Sequence, residues 1–458
     1  MYNFPSKEYK DYLNEIDNRN YDKRRQNLRP IYFINVVWGK EYLNYLLNYH
    51  LASLLSSKNL PILKNKKINK YLIASPKKDI IFLKKNKIIK KVSKYLTFEF
   101  FEIPECPKGL SGCVHMGIGH KILTEIAYNN RAYAVLLTPD LILSDGCLGF
   151  IEYLAVQKYE VVLTTALRFG TEPLFKNLKK EKYLSPHKIN QNIPLTISSR
   201  GLVKNSIKSL HSQTMSYEFE CDSYSEFPVA TWWWKDKKKD GMIIYSFSWA
   251  PLLVDYNSIH SHDTSMMDNW TIDGNYIHQN FDKSNIYTSY DSDEIMLVSW
   301  GSMEIGKVNL RKKNFSNFQK KINILLKKVR LNYVFRNPVM DPLKRKIVKN
   351  PTLWHVNDVS GSWFDRIDYT KIIINSALAS ESETRYKLLK LQNITYIIAK
   401  SIIKFLIGNI FRIKRVVIYY SKRINKIPKF LMQIFTDFPT AKKRLISHLK
   451  LLWIHFLR

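Results

Sequence analysis

The feature that most constrains the fold is the regular alternation of strand-like and helix-like segments between residues 30 and 170. The strand-like segments are rich in β-branched and aromatic residues, and the segments between them carry apolar residues at helical spacing. This alternation predicts an α/β fold with a mainly parallel sheet flanked by helices. The predicted strands in this region are Ile31–Val37, Lys70–Ser75, Tyr95–Ile103, Tyr133–Leu137 and Val161–Thr164, and two further strands are predicted at Met242–Phe247 and Ile286–Tyr290.

The charge of the chain restricts the partners that we expect. Its 458 residues include 72 Lys and Arg against 39 Asp and Glu, which gives a formal net charge of +33. Such a charge favours anionic partners, namely a nucleic acid, an anionic membrane or a substrate that carries phosphate. The basic residues are spread along the chain without a nucleic-acid-binding motif, so a nucleic-acid-binding protein is the least favoured of these hypotheses.

The amino terminus and the cysteines indicate the compartment. The first residues are strongly charged and lack the apolar core of a secretory signal. The four cysteines include no CxxC pair and fit neither a zinc site nor a disulfide framework. The longest apolar run, Gly241–Val254, is shorter than the roughly 20 residues that span a bilayer. We therefore expect a cytoplasmic protein.

The pattern changes along the chain predict three regions. Residues 1–28 form a charged arm or helix, residues 29–305 form the α/β domain, and residues 306–458 form a basic helical region. After Thr395 the tail combines Lys and Arg with helical clusters of apolar residues. Two interpretations stay open for it: amphipathic helices that dock on an anionic membrane surface, or a solvated basic face of a helical subdomain.

Polar residues that follow the predicted parallel strands are the first candidates for a binding site, because ligands bind beyond the carboxyl ends of such strands. Trp38 and Gly39 follow the first strand. The segment YAVLLTPDLILSDGCLGF (Tyr133–Phe150) runs from the fourth strand directly into Asp140, and Asp145 follows one short turn later. The alternative for Asp140 is a turn that ends the strand.

The order strand, Pro-Asp, apolar turn, Ser-Asp-Gly, helix, strand resembles the Asp-x-Asp region of nucleotide-sugar glycosyltransferases with the GT-A fold. It is especially similar to glycosyltransferase-like proteins of bacterial polysaccharide gene clusters. The resemblance implies a Rossmann-like GT-A domain and sugar transfer from a nucleotide-sugar donor to a glycan or lipid-linked acceptor. It further implies surface polysaccharide or lipopolysaccharide assembly at the inner face of the plasma membrane. Four segments carry it: Val36–Pro61, Gly119–Gly146, Leu253–Tyr276 and Tyr290–Ile295.

The resemblance implies a divalent ion, Mg²⁺ or Mn²⁺, on the donor diphosphate. Asp140 matches the last Asp of Asp-x-Asp, whereas Thr138 replaces the first, so metal dependence stays open. A cationic side chain that neutralises the diphosphate is the alternative. By the same resemblance, His262 completes the metal shell of Asp140, with a polar surface loop as the alternative for this histidine.

Other residues are expected to hold the donor. Asp145 positions it, Trp38 stacks on the base, and Gly39 lets the backbone approach closely. Arg168, after the fifth strand, is expected to contact the diphosphate. His120 is expected at the start of a helix over residues 118–130, where the helix dipole lowers the pKa of a histidine and keeps it a neutral donor. Core packing, capping or exposure are the alternatives for these residues.

The catalytic base is expected among Asp273, Asp291 and Asp293. Asp291-Ser292-Asp293 is a literal Asp-x-Asp after a predicted strand, so it is an alternative metal site as well as a candidate base. Turn formation is the alternative for all three. The tryptophans at positions 232–234 predict either a sugar-stacking surface or core packing. Because the Asp-x-Asp is incomplete, an inactive GT-A-like scaffold at the membrane stays open as a second function.

Overall fold

The computed structural model describes residues 4–220, 231–235, 240–246, 249–281, 284–308, 347–359 and 361–378. The chain divides into two units, 1–380 and 381–458, and every described residue lies in the first. The predicted basic tail after Thr395 lies outside the described residues. Within the described part of the chain, no helix has the length and apolar character needed to cross a bilayer.

The described strands are β1 (Ile31–Val36), β2 (Lys70–Ser75), β3 (Thr97–Glu102), β4 (Tyr133–Leu136), β5 (Leu141–Leu143), β6 (Val161–Thr165), β7 (Arg168–Gly170), β8 (Thr231–Lys235), β9 (Gly241–Ser246), β10 (Trp249–Asp255), β11 (Ile286–Thr288), β12 (Leu297–Gly301) and β13 (Thr352–His355). The described α-helices are α1 (Lys7–Glu15), α2 (Arg19–Gln26), α3 (Lys40–Tyr45), α4 (Leu51–Leu54), α5 (Lys77–Lys84), α6 (Lys87–Val92), α7 (Gly112–Asn129), α8 (Cys147–Val156), α9 (Thr171–Lys180), α10 (Pro186–Asn190), α11 (Ser199–Ser206), α12 (Ser212–Met215), α13 (Gly274–Asn280) and α14 (Gly361–Leu378). A π-helix, Leu46–His50, joins α3 to α4, and 3₁₀ turns cover Leu60–Ile62 and Ser265–Asp268.

The central sheet has seven strands in the order β11-β6-β10-β4-β1-β2-β3. All neighbours pair in parallel except β10, which runs antiparallel to both β4 and β6. The prediction of a mainly parallel sheet flanked by helices is confirmed. Strand β10 was not predicted, because a proline inside an apolar run argues against a central strand. The structure accommodates Pro251 by a shift of register between Pro251 and Leu253.

Alternating residues of β1 supply two cores on opposite faces of the sheet. Ile31 and Phe33 belong to one apolar cluster, whereas Tyr32, Ile34 and Val36 belong to the other. This is the period of two that a strand buried on both faces requires. Helices therefore cover both faces, as the Rossmann-like prediction demands.

Helix α7 lies close against the sheet because it carries small residues. A Cβ atom at Gly119 would sit 2.6 Å from a methyl carbon of Val36. The helix begins at Gly112, with Ser111 as the preceding residue, and not at residue 118 as predicted. The start was missed because the first turns contain glycines, which disfavour helix interiors. In the structure, packing of this helix outweighs that low propensity.

The amino-terminal segment, predicted as a charged arm or helix, consists of two helices that pack on α8. Tyr12 and Tyr21 are buried there. Arg25 donates from Nε to Glu152 Oε2 at 2.7 Å, and both side chains are almost fully buried. A buried ion pair survives when further hydrogen bonds satisfy it, and Arg25 Nη2 also donates to the Ile62 carbonyl at 2.5 Å.

Two small sheets extend the fold. The order β5-β12-β7 places a sheet next to the carboxyl ends of β4 and β6, because β5 and β7 follow those strands closely in the chain. The order β13-β9-β8 gives the other. In β8, Trp233 and Trp234 are buried and donate to the Thr214 carbonyl and to Thr370 Oγ1. The sugar-stacking hypothesis is therefore wrong for these two rings, since core packing uses their faces.

Candidate functional site

The connections of the central sheet change direction between β1 and β4. From β1 the chain continues to β2 and β3 on one side, and β4 lies on the other side of β1. Ligands of open α/β sheets bind outside the carboxyl ends of the strands at such a switch point. Trp38 and Gly39 follow β1 there, and Asp140 follows β4. We call Trp38, Tyr42, Asp140 and Arg168 the Asp140 site.

Asp140 is a partly desolvated carboxylate at this switch point. It is half-buried between the end of β4 and the start of β5. Burial raises the pKa of Asp140, and hydrogen bonding by Thr138 and the charge of Arg168 oppose that rise. A carboxylate in such surroundings is poised to meet a cation or a hydrogen-bond donor that arrives with a ligand.

Tyr42 and Arg168 share the environment of Asp140. Tyr42, on α3, is 45% exposed. Burial raises the pKa of its phenol, the charge of Asp140 adds to the rise, and Arg168 counteracts it. Cys113, in the first turn of α7, also raises the pKa of that phenol. A carboxyl group, a guanidinium and a phenol from three separate segments are therefore close enough to influence one another electrostatically.

Arg168 is held over two glycines. A Cβ atom at Gly301 would lie 3.0 Å from Arg168 Nη2, and one at Gly306 would lie 3.3 Å from Nη1. Arg168 Nη1 donates to Gln213 Oε1 at 3.3 Å, and no carboxylate among the described residues forms an ion pair with this guanidinium. Arginine without an internal carboxylate partner is suited to bidentate contact with phosphate.

Trp38 lies against the beginning of α7. Its ring is perpendicular to the ring of His115, with centroids 4.7 Å apart. Gly112, the first residue of the helix, would place a Cβ atom 3.8 Å from the indole. Gly39 has a φ of +77°, and its amide donates to Asp79 Oδ2 at 3.0 Å. The Gly39 amide therefore already has a hydrogen-bond acceptor within the protein. No atom lies within 4 Å of where its Cβ would be, so there is open space beside Trp38.

A buried chain of hydrogen bonds fixes the segment that carries Asp140. His50, in the π-helix, donates from Nδ1 to the carbonyl of Leu141 at 2.8 Å. Its Nε2 accepts from the Tyr71 hydroxyl at 2.9 Å, and Asn35 donates to that hydroxyl. Burial lowers the pKa of His50 to about 4, so the ring is neutral and can accept at Nε2. No sequence pattern marks His50, because the π-helical turn that orients its ring cannot be recognised from residue spacing.

A second group of ligand-type side chains lies beyond the carboxyl end of β11. Asp291 and His355 are buried, and His355 Nε2 lies 2.9 Å from Asp291 Oδ1. Asp293 is partly exposed, with an oxygen 4.0 Å from the same nitrogen. One ligand atom from each of the three residues falls within 4.8 Å of the others. We call these three residues the Asp291 cluster.

The Asp291 cluster is tied to the rest of the fold. The Asp293 amide donates to Asp291 Oδ1 at 2.8 Å, and Arg200 binds the Asp293 carboxylate through Nε and Nη2. Burial opposes the charged form of His355, but the hydrogen bond to Asp291 and the charges of Asp291 and Asp293 outweigh it, so the pKa of His355 is raised.

Glu294 is the neighbouring buried acid. It accepts from the Ser6 amide at 2.6 Å and from the Tyr287 hydroxyl at 2.7 Å. Burial raises the pKa of Glu294 to about 7. Glu294 therefore links the amino-terminal helices to the sheet and is closed to a ligand.

The structure does not bring His262 to Asp140. His262 Nδ1 lies 2.8 Å from Glu125 Oε1, and its Nε2 lies 2.6 Å from the Tyr276 hydroxyl. Glu125 and Tyr128 belong to the last turns of α7, which lead to the amino end of β4, and the His262 ring contacts that of Tyr128. Because Asp140 follows the carboxyl end of β4, the two expected metal ligands face opposite edges of the sheet.

Three more predicted residues have local roles. Asp145 Oδ1 accepts from the Ser56 hydroxyl at 2.6 Å and from the Lys58 amide at 2.9 Å, so it fixes the loop after α4. Asp273 caps α13 by accepting from the Asn275 amide at 2.7 Å. His120 lies in the middle of α7, not at its start, and its ring contacts Thr271 Oγ1 at 2.8 Å. Burial, rather than a helix dipole, lowers the pKa of His120 to about 4.

The Asp140 site and the Asp291 cluster lie at the same edge without sharing an ion. Strands β10 and β6 separate β4 from β11. Three strand spacings amount to about 14 Å, whereas one ion binds ligands at about 2 Å. Asp291 and Asp293 therefore belong to another centre than Asp140.

Comparisons with known proteins give little further information. No protein-family model matches the chain, and no curated protein matches it at a significant level. Among solved structures, it is similar to a chain described as a putative glucose-1-phosphate thymidylyltransferase from Bacillus anthracis in complex with a sucrose, at 15% identity and a TM-score of 0.20. The match covers 31% of this chain and 58% of that protein, less than two thirds of its length. A likeness this low carries no argument about function.

Proposed function

We propose that the protein is a GT-A-type glycosyltransferase that binds a nucleotide-sugar donor at the Asp140 site. The observation that carries the proposal is the position of Asp140 at the switch point of a mainly parallel sheet, where burial raises the pKa of its carboxyl group and the charge of Arg168 opposes that rise. Among the described residues, Arg168 has no carboxylate partner of its own. A nucleoside diphosphate is the leaving group of such a transfer, and a cation near it stabilises the charge that develops.

The roles of the side chains follow from their chemistry. Arg168 contacts the diphosphate, because a guanidinium can donate two parallel hydrogen bonds to phosphate oxygens. Trp38 offers an aromatic face beside the open space at Gly39, which suits a nucleobase or a sugar. The phenol of Tyr42 is protonated at neutral pH, since its ordinary pKa of 10.0 is raised further by burial, and it can donate a hydrogen bond to a donor hydroxyl.

Asp140 also fits a divalent ion at the donor. The Asp140 site offers a single carboxylate, which suits Mg²⁺, an ion that takes most of its ligands from water and from substrate phosphates. Bound there, the ion would neutralise charge on the diphosphate as the leaving group departs. Without the ion, Arg168 alone supplies that neutralisation, and Asp140 accepts hydrogen bonds from the sugar.

The experiment is a donor-turnover assay of the full chain with UDP-, GDP-, CMP- and dTDP-sugars, with and without Mg²⁺ and Mn²⁺. We expect hydrolysis or transfer with one nucleotide class and its loss in Asp140→Asn. The matched control is Asp273→Asn, a helix cap outside the site. No turnover of any donor by the wild type, or equal turnover in Asp140→Asn, would contradict the proposal.

The glycan or lipid-linked acceptor and the location at the inner membrane face rest on the sequence resemblance. We propose them together with the donor site. Sedimentation of the full chain with anionic vesicles, compared with neutral vesicles, tests the membrane surface. Vesicle binding without any nucleotide binding in calorimetry would favour the inactive scaffold over the enzyme.

A further inference from the structure

The Asp291 cluster joins side chains that are far apart in the sequence. Asp291 and Asp293 follow β11, and His355, which ends β13, is 64 residues beyond Asp291. The segments are held in place by backbone bonds: the Ser292 amide donates to the Leu353 carbonyl at 2.9 Å, and the Leu353 amide donates to the Tyr290 carbonyl at 2.8 Å. The backbone therefore fixes the positions of the three side chains before any ligand arrives.

One oxygen of the cluster has no partner. Asp291 is 1% exposed, and its Oδ2 is buried without a hydrogen bond among the described residues, while Oδ1 takes both the Asp293 amide and His355. A buried carboxylate oxygen without a donor or cation costs free energy. Arg200 does not supply the missing charge, because it is paired with Asp293 and Asp358.

His355 is oriented as a metal-binding histidine would be. Its Nδ1 donates to the Asn357 carbonyl at 2.9 Å, which directs Nε2 to the two carboxylates. Histidine ligands commonly donate their other ring N–H to a backbone carbonyl, and this bond fixes the tautomer and the ring orientation.

The spacing of the ligand atoms suits one ion. In a tetrahedral shell, bonds of about 2.0–2.2 Å to nitrogen and oxygen place neighbouring ligand atoms about 3.3–3.6 Å apart. The distances from His355 Nε2 to the Asp291 and Asp293 oxygens, 2.9 Å and 4.0 Å, bracket that range. Asp293 is the most exposed of the three, and its carboxylate is the one that has to move closer to His355 for both to bind one ion.

We propose that Asp291, Asp293 and His355 bind one divalent transition-metal ion of the Zn²⁺ type. One imidazole nitrogen with two carboxylate oxygens favours Zn²⁺ over Mg²⁺, because Mg²⁺ prefers oxygen ligands alone. The ion joins the segment after β11 to β13, with Arg200 as a second contact of Asp293. This site is separate from Asp140 and does not depend on the proposed transferase activity.

Calorimetry on the chelator-treated full chain tests the site with ZnCl₂, MnCl₂ and MgCl₂. We expect one Zn²⁺ per chain, weaker Mn²⁺ and no Mg²⁺, with at least a tenfold loss of Zn²⁺ affinity in Asp291→Asn and in His355→Gln. The matched control is His262→Gln, which removes the other histidine that faces a carboxylate and should leave the affinity unchanged.

X-ray absorption on the zinc-loaded wild type gives a second readout that requires no variant to fold. We expect a single imidazole and oxygen ligands at about 2.0–2.2 Å. Absence of stoichiometric Zn²⁺ binding, a shell with two or more imidazoles or with sulfur, or equal loss in His262→Gln would overturn the proposal. The cluster would then be an ion pair between Asp291 and a protonated His355.

Discussion

Asp140 and Asp291 each follow a parallel strand of the same sheet, yet their surroundings differ. Asp140 is half-buried, and its charge acts on the exposed Tyr42 while that of Arg168 acts on Asp140. Arg168 has no carboxylate partner among the described residues. Asp291 is almost inaccessible and contacts His355 directly. The strand end places an acid at the ligand-binding edge in both cases. The two acids differ in the number of partners that neighbouring segments supply, and we propose that this difference separates a substrate-binding acid from a structural one.

The comparison is tested most severely by removing a partner from the Asp291 cluster. His355→Leu removes the imidazole that faces the buried Asp291 carboxylate. Removing one partner of a buried pair typically destabilises a protein by about 3–5 kcal/mol. We expect that loss in urea unfolding of the metal-free chain. The control is His262→Leu, because Glu125 is 41% exposed and water can take over its charge. Equal losses of unfolding free energy in His355→Leu and His262→Leu would contradict a special structural role for the buried Asp291 cluster.

The opposite result is expected at Asp140. Asp140→Asn should lower donor turnover by about 10²–10³-fold, the scale of losing one electrostatic contact to the developing charge. Burial raises the pKa of Asp140 above its ordinary 3.8, so ionised Asp140 reduces stability as the pH rises through that raised value. The melting temperature of Asp140→Asn at pH 7 should therefore equal or exceed that of the wild type. A lower one would show that Asp140 is structural.

The buried hydrogen bonds of His50 have a structural role, but they also hold the segment that carries Asp140. Their loss should therefore affect both stability and turnover. His50→Gln should destabilise the chain by about 1–3 kcal/mol at pH 7 and lower turnover without changing the pKa that turnover reports for Asp140. The control is His120→Gln, because the His120 ring is also buried but contacts Thr271. We expect His120→Gln to lower stability without lowering turnover. If it lowers turnover as much as His50→Gln does, His50 has no specific role in positioning Asp140.

The same two histidines predict how stability depends on pH. Burial lowers the pKa of each to about 4 from an ordinary value of 6.5. In the unfolded chain these histidines become protonated below about pH 6.5, whereas in the native chain they stay neutral until about pH 4. Stability should therefore fall as the pH drops through that window, and His50→Gln should weaken the dependence. Urea unfolding at pH 7, 6, 5 and 4.5 measures it; an unchanged slope in the variant would contradict the assignment.

The smallest effect is expected at the glycine under Arg168. Gly301→Ala places a methyl group 3.0 Å from the guanidinium, whose flexible side chain can move aside. We expect a rise in KM for the donor of up to about fivefold, equivalent to about 1 kcal/mol, with kcat nearly unchanged. Gly361→Ala, where nothing lies within 4 Å, is the control. A loss of kcat without a change in KM would place Arg168 outside the donor contact.

Much of the fold was predictable, because it depends on local periodicity. The five strands predicted between residues 30 and 170 all occur, and the first four pair in parallel as the helices between them imply. The fifth, β6, pairs instead with β11 and β10. The start of α7 was missed because Gly112, Gly117 and Gly119 suit tight packing against neighbouring segments rather than helix propensity. Strand β10 was missed because its neighbours β4 and β6 are remote in the sequence, and only they define it as central.

The sequence by itself determined that an acid stands where a parallel strand ends, since strand period and the position of Asp140 in the chain leave little choice. It also marked Asp291 and Asp293 by their spacing. Only the tertiary structure separated Asp140 from His262 and joined Asp291 to His355. The physical reason is that contacts between side chains from distant segments depend on strand order and on which edge of the sheet each segment reaches, and no local pattern encodes either.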